Sequence, residues 1–238
     1  AAAALRRAFD SATVEGLMAP GFDLARYNAV VMLLGRQSPS DGVIPDDLLT
    51  SLTEYVRGGG SLMVSGATIA RALDAATTAP TPVHRQFVME TLGLRFGGEC
   101  EDSAAASGEP GSILSELKLE LKDPTTPELV HRPNDVITPA SGARALLRYD
   151  NPARDVAAVF VERSDEGGAV ASFGFPVEEI VGSESRKALL ALVLDAIGVQ
   201  AEPELAQAGD SRELRSGPPW RRGVEGQNRG NSRRGRRR

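Results

Sequence analysis

Asn28-Ala-Val-Val-Met-Leu-Leu-Gly35 and Ser61-Leu-Met-Val-Ser-Gly66 are two short apolar runs, each closed by a glycine. Their length and Val content suit strands buried on both faces, as in a parallel sheet. Between them Leu48, Leu49, Leu52, Tyr55 and Val56 recur at i, i+1, i+4, i+7 and i+8, which gives a helix one apolar face. Asp46 stands where it can cap that helix, and Gly58-Gly-Gly60 ends it. Gly66 then turns the second strand into another helix around residues 69–73. Strand, helix, strand, helix at this spacing is the signature of a doubly wound α/β sheet with right-handed crossovers.

Outward from this centre the pattern loosens. Residues 1–9 read as the end of a helix and 10–13 as a turn. Residues 75–82 form a Thr/Pro linker, 83–92 a helix, 94–96 a short strand, and 97–111 a loop of acidic and small residues. Leu117, Leu119 and Leu121 alternate with charged residues, which predicts a half-exposed strand. Residues 145–149 and 155–162 suit further strands, and Asp165-Glu-Gly-Gly168 is a hairpin-like turn into 169–173. Residues 183–197 predict the last helix, with Leu189, Leu190, Val193, Leu194 and Ile197 on one face and Gly198 past its end.

Composition narrows the function classes. Of 238 residues, 41% are hydrophobic and 25% charged, which excludes wholesale disorder; aromatics are only 5%, so the core must be largely Ala, Val, Leu and Ile. No apolar run approaches the ~18–20 residues of a membrane span. Residues 1–10 lack the apolar stretch of a signal peptide, and the chain opens on Ala1 rather than Met, so it reads as a fragment whose targeting signal would lie upstream. The single Cys100 excludes a disulfide scaffold and a Cys-rich zinc site. His84 and His131 read as surface or packing residues rather than metal ligands. Glu99, Glu101 and Asp102 lack the spacing of a calcium loop. Gly58-Gly-Gly60 precedes a strand and has no following Lys-Ser/Thr, so it is no phosphate loop. The reading predicts no metal and no cofactor.

Charge is unevenly spread. The chain carries −5 overall; residues 211–238 hold ten Arg against two Glu, or +8, so residues 1–210 carry −13. An acidic body repels nucleic acid. The Gly/Arg/Ser/Asn tail has too little apolar surface to fold, so residues 201–238 read as a disordered tail, either solvated or binding RNA or another polyanion weakly.

The order of motifs resembles the class I glutamine-amidotransferase-like domain, in the version appended to large secreted bacterial proteins beside golvesin or xanthan-lyase-like, amidase and peptidase modules. The matching segments are Tyr27–Ser38, Gly58–Gly66, Pro133-Asn-Asp-Val-Ile137 and Gly174-Phe-Pro-Val-Glu-Glu-Ile180. The resemblance implies a three-layer, mainly parallel, flavodoxin-like sheet over residues 1–200, lacking its first strand and therefore exposing an edge beside the 30–34 strand. It also implies a setting in a larger, extracellular chain, with neighbouring modules and a polysaccharide or peptidoglycan context as partners; composition alone fits the cytoplasm equally.

In the catalytic members a Cys nucleophile sits on a strand–turn–helix elbow, with a His and a Glu after a later strand. Here the elbow falls at Val64-Ser-Gly-Ala-Thr68, which has no Cys, and the later motif is Phe173-Gly-Phe-Pro-Val-Glu178, with Phe175 where the His belongs. The resemblance thus implies a non-catalytic accessory or binding domain. Two rivals stand beside it: a hydrolase using Ser65 as nucleophile, and polyanion binding by the tail. Ligands of open α/β sheets gather at the carboxyl ends of the strands. Arg36, Ser38, Ser65, Gly66, Thr68 and Glu178 are therefore the candidate ligand-binding residues. Arg36 and Glu178 are expected to face one another, or Arg186 to pair with Glu178. Ser65 has a structural alternative, capping the helix after it.

Overall fold

A single helical turn, α1 (Val14–Leu17), precedes the first strand. Seven consecutive residues, Ala29–Gly35, form strand β1, and Ser61–Gly66 form β2. They pair in parallel, with Val31 opposite Met63. Helix α2 (Asp46–Arg57) makes the crossover, burying Leu48, Leu49, Leu52, Tyr55 and Val56 against the sheet. Each fully buried aliphatic side chain there contributes about 1.5–3 kcal/mol. The residue at the cap position is Pro45; Asp46 lies in the first turn, where its carboxylate accepts from Thr81 Oγ1 at 3.4 Å and lies 2.9 Å from His84 Nε2.

The computed structural model describes residues 8–36, 44–122, 133–140, 142–162 and 168–199. Ser38, His131, most of the 165–168 turn and the basic tail lie outside the described residues. Residues 1–202 and 203–238 divide into two units, and the fold concerns the first.

After β2 come two short helices, α3 (Ile69–Asp74) and α4 (Pro82–Gln86), the latter running into one π-helical turn, Phe87–Thr91. Seven strands follow: β3 (Leu94–Cys100), β4 (Ala105–Gly108), β5 (Lys118–Glu120), β6 (Asn134–Pro139), β7 (Ala143–Tyr149), β8 (Val156–Val161) and β9 (Val170–Phe173). The last helix, α5, is Ser183–Ala196. The main sheet has the order β1-β2-β9-β8-β7-β4-β5, and β3 and β6 form a separate antiparallel pair.

This order corrects the expected architecture. Only β1–β2 and β2–β9 are parallel; β9–β8, β8–β7, β7–β4 and β4–β5 are antiparallel. The sheet is mixed and mostly antiparallel, with few long helices, so it is not the mainly parallel, doubly wound, flavodoxin-like arrangement. Chain length between strands is the physical reason. A parallel neighbour needs a crossover of about a dozen residues or more. Residues 150–155 and 162–169, which join β7 to β8 and β8 to β9, are too few for that. The strands that each one joins are accordingly antiparallel.

Along β2, β8 and β9 both faces of the sheet are nonetheless buried. Leu62, Val64, Val159 and Val170 point to a core closed by α2, α3, the π turn and β3. Met63, Ala158, Phe160, Ala171 and Phe173 point to a second core closed by Leu189, Val193 and Leu194 of α5. Among the described residues β1 is an edge strand, and on its α5-side face Val31 and Leu33 are exposed.

Candidate functional site

Strands β1, β2 and β9 run in parallel, so their carboxyl ends reach one rim. At β1 this end is Gly35, whose φ of +58° lies in the left-handed region that glycine adopts without strain. Arg36 follows it. At β2 it is Ser65 and Gly66; at β9 it is Gly174, Phe175, Pro176 and the 3₁₀ turn Val177–Glu179. Gly174 is there because backbone comes close: a Cβ would sit 2.4 Å from Asp135 O, while the Asp135 amide donates to Gly174 O at 3.0 Å.

Ser65 occupies the elbow and is wholly buried. Its hydroxyl donates to Phe175 O at 3.0 Å and accepts from the Val177 amide at 2.8 Å. One donor and one acceptor function are thus committed to the β9 loop. The side chain ties two strand ends together rather than capping the helix after it, whose cap position is Thr68. The Ser65→Ala variant leaves a buried carbonyl and amide unpaired, and should lose about 1–3 kcal/mol of stability by urea unfolding. A loss under a few tenths would mean that water reaches this rim.

Arg36 meets Glu179, not Glu178. Nη2 donates to Glu179 Oε2 at 2.6 Å and Nε donates to Oε1, a bidentate pair whose side chains are only 7% and 9% exposed. Glu178 is exposed; Arg186 Nη1 lies 3.4 Å from its backbone carbonyl and donates to Ile180 O at 2.8 Å. The expected partner is therefore wrong by one residue. Successive side chains of a 3₁₀ turn point about 120° apart, and here the turn aims Glu179 inward. Gly66 is buried against Leu34, and Thr68 is buried at the start of α3 with no side-chain cap bond.

Phe175, next to Gly174, is fully buried. It packs edge-on to Phe173 and Tyr149, with ring centroids 5.7 Å and 6.3 Å away. His84 is remote, closing a capping box with Thr81 at the start of α4. The Cys100 thiol is buried and donates to Asp102 O at 3.4 Å; burial first, then the Asp155 charge, pushes it up to about 11, so it is not a ready thiolate. Glu99, expected in a loop, lies instead in strand β3 and is engaged by Arg71.

The residue that sequence reasoning missed is Asp135, in the Pro133–Ile137 segment. Its side chain is fully buried, and Oδ2 accepts from the Arg71 amide at 3.0 Å near the start of α3. Arg71 Nε lies 3.6 Å from Oδ1, and Nη2 donates to Pro133 O. Tyr149 Oη donates to Asp135 O at 3.1 Å and lies 3.3 Å from Gly174 O. Asp135 Oδ1 and Arg71 Nε have no hydrogen-bond partner among the described residues. Burial is the main influence and pushes the Asp135 carboxyl up to about 7, against the opposing pull of the Arg71 amide and guanidinium.

No protein-family model matches the chain, and no curated protein does. Solved structures resemble it weakly. The mmIFT52 N-terminal domain is 12% identical, covering 82% of this chain and 84% of that one, with a TM-score of 0.49. A β-galactosidase from a Rahnella species is 14% identical over 76% of this chain and 25% of its own, TM-score 0.48. An exo-β-1,4-mannosidase from an Opitutaceae bacterium is 17% identical over 75% and 26%, TM-score 0.43. None of the three is described as a glutamine-amidotransferase-like domain, and likeness at this level assigns no activity.

Proposed function

We propose that this chain is a non-catalytic accessory domain that works by binding, within a larger and extracellular bacterial protein, as its resemblance to amidotransferase-like domains implies. The observation that carries the reading is the closed rim. Where a catalytic member would present nucleophile and base, this chain has Ser65 bonded to Phe175 O and the Val177 amide, and Phe175 itself packed on Tyr149. A nucleophile needs a base within hydrogen-bond reach and a free approach for substrate. Ser65 has neither among the described residues. The buried Arg36–Glu179 pair ties the β1 end to the β9 loop beside it. The same geometry weighs against the serine-hydrolase alternative.

The test is an activity screen on the full chain. Glutamate release from glutamine should stay at the no-protein blank, and a fluorophosphonate probe should leave Ser65 unlabelled. Glutaminase turnover, or labelling abolished by Ser65→Ala, would defeat the reading.

A further inference from the structure

At the opposite end of the sheet from Ser65, the amino ends of β1, β2 and β9 border an open groove of about 1020 Å³. Its walls are the segment from Leu17 to Asn28, the carboxyl-terminal half of α2, and the last residues of α5. Three carboxylates line it, Asp23, Glu54 and Glu162, and among the described lining residues there is no Lys, Arg or His.

Two further features have the same sign. Helices α2 and α5 both end at this groove, and the carboxyl end of a helix carries partial negative charge. The usual remedy is a basic residue in the last turn; α5 has none there. The basic residue of the last turn of α2, Arg57, is 3.1 Å from Glu90. Of the three lining carboxylates, Glu162 has a cationic partner, Arg144 at 3.0 Å. Arg26 is another cation close by, on the exposed side of the 3₁₀ turn that precedes Tyr27.

The apolar part of the wall is aromatic. Phe22 and Tyr27 stack with centroids 5.8 Å apart and planes 10° from parallel, and Tyr55 Oη donates to Tyr27 O at 3.0 Å, fixing the pair to α2. Aromatic faces beside carboxylates hold ammonium and guanidinium groups through ring quadrupole and charge together. An anionic ligand would be repelled here, and a neutral sugar would use the rings but none of the converging negative potential. An open trough of this size also suits a chain better than a small enclosed cation.

We propose that this groove binds a lysine- or arginine-bearing peptide segment of a partner protein. The proposal rests on reading the domain as a binding module. It places the bound face at the amino ends of the strands, away from the rim where such sheets hold ligands.

The test uses the full chain and a labelled Gly-Lys-Gly-Lys-Gly-Lys peptide, with a serine-for-lysine peptide and cellohexaose as controls. The Asp23→Asn/Glu54→Gln double variant should bind the lysine peptide about fivefold more weakly, two exposed ion pairs being lost. Glu116→Gln/Glu120→Gln, which removes the same charge beside and within β5 at the far edge of the sheet, should bind as the parent does. Tyr27→Leu keeps bulk and charge but should also weaken binding. Equal weakening by both double variants would mean a general acidic field. That result, absence of peptide binding, or binding of cellohexaose in its place would overturn the proposal. Hydrolysis at Ser65 would defeat the binding-module reading yet leave a groove-specific peptide result standing.

Discussion

Glu179→Ala is expected to destabilise the fold by about 3–5 kcal/mol, because it removes the bidentate carboxylate partner of a buried guanidinium. The two side chains are 7% and 9% exposed and meet in a bidentate pair. Water can therefore do little to replace the lost carboxylate. The double variant Arg36→Met/Glu179→Leu should recover most of the loss, since replacing a whole buried pair with apolar groups of similar volume is often neutral or better. Urea unfolding of the three proteins measures both numbers. A single-variant loss under about 1 kcal/mol would place the pair in solvent, in the range of surface ion pairs. Glu178→Ala, one residue away and exposed, should change stability by no more than about 0.5 kcal/mol.

The second large effect concerns pH. The Asp135 carboxyl is raised from an ordinary value near ~4 to about 7 in the folded chain, so folding favours its protonated form. Its contribution to stability is fully present below the unfolded pKa. It falls as pH rises through the window from ~4 to about 7, then stays level above it. The full swing is at most about 4 kcal/mol, since each tenfold change in proton affinity corresponds to ~1.4 kcal/mol. Asp135→Asn keeps an acceptor for the Arg71 amide and cannot ionise. Its stability relative to the parent should therefore climb between pH 4 and 7 and plateau beyond. Thermal unfolding of both proteins across pH 4–8 gives the difference curve. A flat difference would mean that Arg71 holds Asp135 ionised throughout, and that the two orphaned atoms find partners in water.

The parallel half of the fold was legible because its residues encode it locally. The runs at 29–35 and 61–66 are apolar on both faces, and the Leu48, Leu49, Leu52 and Val56 stripe has helical period. The antiparallel half, apart from the hairpin-like turn read at 165–168, was misread although its signal was present. The short connections 150–155 and 162–169 forbid crossovers, but the resemblance favoured a parallel order, and the pattern within a single strand says nothing of loop length. The strand β4 was hidden in a loop of small residues, because Ala105-Ala-Ser-Gly108 has little side-chain pattern to read.

Site residues divided in the same way. Ser65 was placed at a strand end by local pattern, but its engagement by Phe175 and Val177 depends on contacts 110 and 112 positions away. Glu179 and Glu178 are indistinguishable in composition; only the phase of the 3₁₀ turn chooses between them. Asp135 could not be singled out at all. Its burial exists only once α3, Tyr149 and Gly174 converge on it.

Hydrogen exchange at the Val177 amide tests the closed rim most directly. That proton donates to Ser65 Oγ at 2.8 Å in a buried loop outside any strand. With the rim closed, it should exchange only through global unfolding, at a free energy matching that from urea, and Ser65→Ala should release it. Exchange of the parent protein's Val177 amide at the rate of an open surface loop would show that Ser65 is free to meet a substrate, and would contradict the account.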